Sequence, residues 1–234
     1  MKLSRLLSLL SLGLSTFMVL AQTDGAKSAS LTEAGAEKKP DINEIIQSND
    51  TFTNSVGTVL QKISSGLWIS VYETTQKEYK NVTGSNPSSF RGDKRPVDSV
   101  SWQSASAFCS TLTDHEKARD MLPDGYRYAL PSQAQWEQQA KGVPLANAVT
   151  STTRQCSGTS DVGSLPPNGS GLYDVRGNVA EWCADPGDGA YRVLRGGSWT
   201  EWIEVNLRTD FRVMVAPNAT QNTYGFRVSL VKAR

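Results

Sequence analysis

The sequence predicts an α+β domain of low regular secondary structure, in which short helices and short antiparallel strands are joined by long ordered loops. Three segments carry the capping residues and apolar spacing of short helices, and four short runs have the composition of strands. The connections between them are long and rich in glycine, proline, asparagine and serine, as in residues 83–98 and 164–178. Neither a doubly wound parallel sheet nor a helix bundle fits this pattern.

The helix signals lie at three places. Thr75 and Glu78 have the spacing of a capping box and predict a short helix. Ser101 is a candidate N-cap for a helix whose apolar residues recur at every third or fourth position. Ser132 and Gln135 form a second capping box, and a glycine ends the helix that follows. The predicted inward positions of the last two helices are Ala105, Phe108, Cys109, Leu112, Trp136 and Ala140.

The strand candidates are short runs rich in aromatic and β-branched residues, a composition that suits a pleated and partly buried surface. Turn-forming residues separate them along the chain. Their ranges are 67–73, 126–130, 191–197 and 224–230.

The first residues differ in character from the rest of the chain. Lys2 and Arg5 precede an apolar run that ends at Ala21 in the small-residue pattern of a signal peptidase site. This run is too short and wrongly flanked for a stable membrane anchor, although a buried N-terminal helix or a retained anchor is the alternative. We predict a signal peptide over 1–21, a flexible polar leader over 22–49 and a folded domain over 50–234. The mature protein is expected to be periplasmic or extracellular, with no membrane anchor.

The charge and the counts of reactive side chains exclude several classes of function. A formal net charge of +1 over 234 residues does not support nucleic-acid binding through a basic surface. His115 is the single histidine of the chain, so a centre of three histidines is excluded. We expect it to be a solvated residue near a helix end, and we expect the inward thiol of Cys109 to be inert.

Five segments of the chain, in order, resemble the formylglycine-generating enzyme family, also called the sulfatase-modifying factor family. The resemblance runs from Phe52 to Leu230. It implies a single domain related to C-type lectins, with little regular secondary structure. The matching segments are residues 72–102, 128–142, 162–185, 191–199 and 224–230.

The resemblance also locates a candidate active site. Active members of this family oxidise a cysteine of an unfolded sulfatase to formylglycine, with molecular oxygen and a copper(I) ion held by two cysteines. Those cysteines lie three and eight residues after the serine of a G-G-S-[WY] motif, which is Ser198 here. The matching residues are Glu201 and Asn206. Carboxylate and amide oxygens are hard ligands that do not replace thiolates on copper(I), so no copper is expected and the oxidase is the least favoured function.

A second part of the resemblance concerns calcium. The segment DVRGNVAE matches one that binds a structural calcium ion in the family. This implies side-chain oxygens from Asp174 and Glu181 and main-chain carbonyls from Gly177 and Val179, a mixture that suits calcium. The alternative is a calcium-free turn in which Asn178 caps the backbone and Glu181 pairs with an arginine.

The cysteines of the chain allow at most one internal disulfide. The family sometimes bridges the position of Cys109 to a cysteine after the G-F-R motif, but Val228 occupies that place here. The remaining pair, which we predict to form the disulfide, is Cys156 with Cys183.

Two functions fit these observations. The first is an exported binding module that holds a peptide, a protein partner or a small ligand with Trp199, Trp202, Arg208 and Arg212, since aromatic residues and arginine dominate contact energies. Trp199 also suits a core position, and the arginines also suit salt bridges. The second is an exported enzyme of different chemistry, similar to the family member that acts in pyoverdine maturation, with Glu201 as an acid–base group.

Overall fold

A computed structural model describes residues 41–155 and 157–233. The predicted signal peptide, most of the predicted leader and Cys156 lie outside these described residues. Within them, no helix is both long enough and apolar enough to cross a membrane.

The folded part consists of five short α-helices and nine short strands among the described residues, with two further turns of 3₁₀ helix at Leu145–Asn147 and Glu204–Leu207. The helices are α1 (Ile42–Ser48), α2 (Gln76–Thr83), α3 (Trp102–Lys117), α4 (Gln133–Ala140) and α5 (Ser151–Arg154). The strands are β1 (Thr51–Thr53), β2 (Val59–Ser64), β3 (Leu67–Ser70), β4 (Tyr126–Ala129), β5 (Ala180–Pro186), β6 (Arg192–Arg195), β7 (Val213–Val215), β8 (Tyr224–Gly225) and β9 (Ser229–Lys232).

The strands form two sheets. The larger sheet has the order β1-β2-β3-β9-β4, and all of its pairs are antiparallel. The smaller sheet has the order β7-β6-β5-β8, and its β5–β8 pair is parallel. The strand β7 therefore lies at an edge of the smaller sheet, beside the loop that follows β6.

The predicted helices are confirmed, together with their starting residues. Thr75 with Glu78 and Ser132 with Gln135 form complete capping boxes, and the Ser101 side chain accepts a hydrogen bond from the Ser104 backbone. Each cap satisfies backbone N–H groups that a helix start leaves without partners. The residues predicted to face inward are all buried, namely Ala105, Phe108, Cys109, Leu112, Trp136 and Ala140.

The strand predictions are confirmed in place but not in length. The run 224–230 is divided, since β8 pairs with β5 in the smaller sheet and β9 pairs with β3 and β4 in the larger one. This segment therefore ties the two sheets together, and Phe226 and Val228 between the strands are buried in the core. The sequence patterns missed β1, β2, β5 and β7.

The prediction of a flexible leader up to residue 49 is wrong for its last part. Residues 42–48 form α1, whose start is capped by Asp41. Its apolar residues Ile42 and Ile46 are buried in the same core cluster as Phe52 and Trp68. Two isoleucines at i and i+4 give a short polar helix enough apolar surface to dock, which averaged composition does not reveal.

Candidate functional site

The loop after β6 is held in place by two glycines. Gly196 and Gly197 have φ values of 88° and 68°, in the left-handed region that favours glycine. A Cβ atom at Gly197 would lie 2.9 Å from a methyl carbon of Leu207 and 3.0 Å from Cγ of Glu201. The loop therefore folds back closely over its own start, and Leu207, which is buried, anchors the returning segment.

This fold brings Glu201 and Asn206 together. Asn206 donates a hydrogen bond of 2.8 Å from its side-chain nitrogen to a carboxylate oxygen of Glu201. The 3₁₀ turn over Glu204–Leu207 reverses the chain between the two residues, so that their side chains meet. Two residues five positions apart in the chain are thus in direct contact, and their role as one site stays a prediction.

Glu201 lies on the wall of a cavity of about 340 Å³. This volume is in the range of small-molecule and peptide side-chain pockets. The cavity lies between the loop after β6, the segment that enters β7 and the segment that enters β8. Its walls include Ser198, Thr200, Glu201, Phe211, Val213 and Tyr224.

Arg195, at the end of β6, also lines this cavity and is almost completely buried. Its guanidinium pairs with Glu137, donates a 2.8 Å hydrogen bond to the carbonyl of Phe211 and lies 5.5 Å from the ring centre of Trp136. Burial lowers the pKa of Arg195. Arg195 therefore joins α4, β6 and the segment before β7, and sequence reasoning missed it because its partners are distant along the chain.

The four predicted binding residues fall into different environments. Trp199 is half-buried, donates a 3.2 Å hydrogen bond to the carbonyl of Asn222 and packs edge-on against Phe90, so it shapes the site from within. Trp202 is 73% exposed. Arg208 pairs with Asp210 at 2.7 Å on the surface.

Arg212, the fourth of these residues, is exposed. Trp202, Arg208 and Arg212 are therefore the predicted binding residues that lie on the surface, and of these Arg208 is paired with Asp210.

Trp202 is one of six large apolar residues that are exposed among the described residues. Large apolar side chains that are exposed together on a surface often mark an interaction site. These six residues come from the loop after β6, the β5–β6 turn and β7 itself. The turn and β7 are in contact, since Gly187 packs against Met214. We call this group the β7 apolar surface; its residues are Tyr191, Trp202, Ile203, Val205, Val213 and Met214.

The predicted calcium segment forms a buried polar network. Both carboxylate oxygens of Glu181 accept hydrogen bonds from Arg227 at 2.8–2.9 Å, and one also accepts from the indole of Trp136 at 2.9 Å. Asp174 is buried and accepts a 2.6 Å hydrogen bond from the Gly163 backbone. The pairing of Glu181 with an arginine, which the sequence left open as the alternative, is present.

A third carboxyl group, which sequence reasoning missed, belongs to this network. Glu73 is completely buried and accepts hydrogen bonds from the Asn178 side chain at 2.6 Å and the Val179 backbone at 3.0 Å. Burial, followed by repulsion from Asp174 and Glu181, raises its pKa well above the ordinary value.

The contacts in this network show how well the predicted ligands suit calcium. Glu73, Asp174 and Glu181 are three buried carboxyl groups close to the guanidinium of Arg227, and clustered carboxylates suit a cation. The arrangement of Glu181 does not suit a bound cation, because its carboxylate oxygens already accept hydrogen bonds from Arg227 and Trp136. Among the described residues, no group of three or more histidine, cysteine or acidic side chains is placed to hold a metal ion. Calcium binding here therefore stays a prediction.

Gly177 holds the turn of this segment against a neighbouring loop. Its φ is 79°, and a Cβ atom there would lie 2.3 Å from the carbonyl oxygen of Val149. The Gly177 backbone N–H donates a 3.0 Å hydrogen bond to the carbonyl of Gly196. The predicted calcium segment and the loop after β6 are thus in direct contact.

The predicted disulfide is not part of the structure. Cys183 is a free and completely buried thiol in β5, and Cys156 lies outside the described residues. Cys109 is also free and buried, as predicted. Burial raises the pKa of Cys109 to about 12 and raises that of Cys183 well above its usual range, so both thiols are unreactive.

Comparison with known proteins identifies the family. Residues 44–232 match the family described as "Sulfatase-modifying factor enzyme 1-like domain". The chain belongs to the sulfatase-modifying factor family.

Two curated relatives show how far this likeness extends. The chain is 34% identical over 161 residues to serine/threonine-protein kinase pkn1 of Chlamydia pneumoniae, covering 57% of this chain and 24% of that protein. It is 30% identical over 178 residues to the formylglycine-generating enzyme of Thermomonospora curvata, covering 56% of this chain and 54% of the enzyme. The chain thus spans about a quarter of the first relative and about half of the second.

A solved structure supports the fold. The Treponema denticola variable protein 1 superposes with a TM-score of 0.62 and 25% identity, covering 77% of this chain and 93% of that protein. The C-type-lectin-like fold expected from the family resemblance is therefore confirmed.

Proposed function

We propose that this sulfatase-modifying factor domain is a binding module, without formylglycine-generating activity, that holds an extended peptide of a partner protein. The observation that carries the proposal is the hydrogen bond between Glu201 and Asn206. A carboxylate and an amide satisfy each other at the two positions where the family resemblance places copper-binding cysteines. Hard oxygen ligands do not hold copper(I) as thiolates do, so the family's oxygen chemistry has no metal to start from.

The surface around this pair suits a peptide. The cavity of about 340 Å³ can accept one side chain, and the β7 apolar surface beside it can contact the next ones. The strand β7 is an edge strand, and extended peptides commonly bind by adding a strand to such an edge. Trp202 and Arg212 are exposed and of the residue types that contribute most contact energy at interfaces.

The proposal includes export. The pattern of residues 1–21 is that of a signal peptide, and the partner would then be a periplasmic or extracellular protein. Fractionation of expressing cells, with N-terminal sequencing of the exported protein, tests this part. We expect the mature chain to begin at Gln22.

Peptide selection tests the binding function. A phage-displayed peptide library is selected on the purified protein, and affinities of the selected peptides are measured by fluorescence polarisation. Trp202→Ala and Arg212→Gln are each expected to weaken binding about tenfold or more, as substitutions at interface hot spots do. Arg91→Gln, which changes an exposed arginine on another loop, is the matched control and should leave affinity unchanged. The proposal would be contradicted if the selected peptides bound both variants as tightly as the wild type.

A second candidate function is an enzyme of different chemistry that uses Glu201. The supporting observation is that Glu201 lies on the cavity wall with the buried guanidinium of Arg195, so a substrate there would meet both charges. Wild-type protein and Glu201→Gln are incubated with a small-molecule extract and compared by mass spectrometry. A product formed by the wild type and lost in Glu201→Gln would favour the enzyme over the binding module.

A further inference from the structure

A second and larger concavity lies in another part of the fold. It has a volume of about 680 Å³ and is enclosed by α3, β4, β9, the start of α4 and the end of β5. None of the residues that line it lines the cavity beside Glu201. We call it the α3–β4 cleft. Its size is that of a site for a small molecule rather than a single side chain.

Two cationic residues line the cleft, Arg127 on β4 and Lys232 on β9. The stem of Lys232 passes over Gly66, where a Cβ atom would come within 3.2 Å of its Cε atom. Arg127 is near enough to the floor of the cleft to interact with the thiol of Cys109. Among the described residues, neither cation forms an ion pair with an acidic side chain.

The one acidic residue that lines the cleft has another partner. Asp185 accepts a hydrogen bond from the backbone N–H of Gln133 in the first turn of α4. A carboxylate at a helix start is stabilised there by the helix dipole. The charge of Asp185 is therefore engaged with α4, and the positive charge of Arg127 and Lys232 is left to the cleft.

The remaining walls supply neutral polar groups and one aromatic ring. Ser106 and Ser110 contribute hydroxyl groups from α3, and Ser132 and Gln135 lie at the start of α4. Trp102 lines the cleft with its ring held in place, because its indole N–H donates a 2.9 Å hydrogen bond to the carbonyl of Cys183. Arg192 stacks on this ring at 4.2 Å and adds a third positive charge nearby.

From these observations we infer that the α3–β4 cleft binds a small organic anion, a molecule with a carboxylate or phosphate group on a hydroxyl-bearing body. Arg127 and Lys232 supply the positive charge that attracts the anionic group, and the serine hydroxyls contact the body. Such charge-assisted hydrogen bonds are among the stronger polar contacts in proteins. This site is separate from the proposed peptide site and does not depend on it.

Calorimetric titration of the full protein tests the inference. The probes are glucuronate, citrate and glucose 6-phosphate, with glucose as the neutral control. We expect at least one of the three anions to bind with a dissociation constant of about a millimolar or tighter, and glucose to bind far more weakly. Binding of glucose as tight as that of the anions, or no binding of any anion, would overturn the inference.

Substitutions locate the site. Arg127→Gln and Lys232→Gln change exposed side chains, so both variants should fold, and each is expected to weaken anion binding about tenfold. Lys117→Gln and Arg119→Gln, exposed cations near the end of α3 outside the cleft, are the matched controls. Ser106→Trp fills the cleft without changing its charge and should abolish binding. If substitutions at Arg127, Lys232 and Ser106 all leave the anion affinity unchanged, the anion does not bind in this cleft.

Discussion

The side chains of Asn206 and Glu201 are joined by a hydrogen bond of 2.8 Å. The loop after β6 thus brings together the two residues that the motif count matches to the copper-binding cysteines of the family. Substituting both residues with cysteine tests whether this loop still has the geometry of a copper site.

The double substitution Glu201→Cys/Asn206→Cys is expected to create copper(I) binding. Two thiolates would face each other where the carboxylate and amide now meet, and thiolates are the soft ligands that copper(I) prefers. Competition against a chromophoric copper(I) chelator measures the affinity. The wild type should bind no copper tightly and should not convert a Cys-x-Pro-x-Arg peptide to its aldehyde in oxygenated buffer.

The single variants are the controls for this experiment. Glu201→Cys and Asn206→Cys each supply one thiolate and should bind copper(I) far more weakly than the double variant. Tight stoichiometric copper binding by the wild type, or aldehyde formation by it, would show that the site works without thiolates.

Calcium is expected to raise the melting temperature, and Asp174→Ala is expected to remove the effect. Glu73, Asp174 and Glu181 are buried close to Arg227, and a cation would relieve the repulsion among them. Scanning fluorimetry with added calcium and with chelator measures the shift. A melting temperature that calcium does not raise and chelator does not lower would contradict calcium binding at this site.

The buried pair of Glu181 and Arg227 is expected to be essential for stability. Arg227→Met leaves the Glu181 carboxylate buried without its cation, which costs about 3–5 kcal/mol. Urea unfolding measures the change. Arg208→Met, which breaks the exposed pair with Asp210, is the matched control and should leave the unfolding midpoint unchanged. Similar losses in the two variants would contradict this account.

Gly177→Ala is expected to destabilise the fold more than Gly57→Ala does. Both glycines have a positive φ, so both variants carry the backbone penalty of about 1–2 kcal/mol. Only at Gly177 would the new Cβ atom also clash, at 2.3 Å from the Val149 carbonyl oxygen, while Gly57 has open space around it. Thermal unfolding measures the stability lost in each variant. Equal losses in the two variants would show that the segment around Val149 shifts to accommodate the new Cβ atom.

The thiols of Cys109 and Cys183 are expected to resist alkylation at pH 8. Burial holds the pKa of Cys109 at about 12 and raises that of Cys183, so almost no thiolate is present and access is blocked. Mass spectrometry after iodoacetamide treatment should show both free in the folded protein and both modified in urea. Modification of either thiol at the same rate in folded and unfolded protein would contradict this.

The sequence by itself determined the three longest helices, α2, α3 and α4, and the family. The capping pairs Thr75–Glu78 and Ser132–Gln135 are local signals, since a cap is a contact between neighbours in the chain, and the structure has both. The choice of Glu201 and Asn206 followed from a motif count that begins at Ser198, and the two side chains are in contact.

Only the tertiary structure decided which of these residues are available to a partner. Trp199 and Trp202 stand three positions apart in the same loop, yet the first packs against Phe90 and the second is 73% exposed. Likewise, the sequence predicts Glu181 to be a calcium ligand. In the structure, Arg227, which lies 46 residues away in the chain, donates hydrogen bonds to both of its carboxylate oxygens. Burial and charge pairing depend on residues far apart in the chain, so no local pattern of sequence contains them.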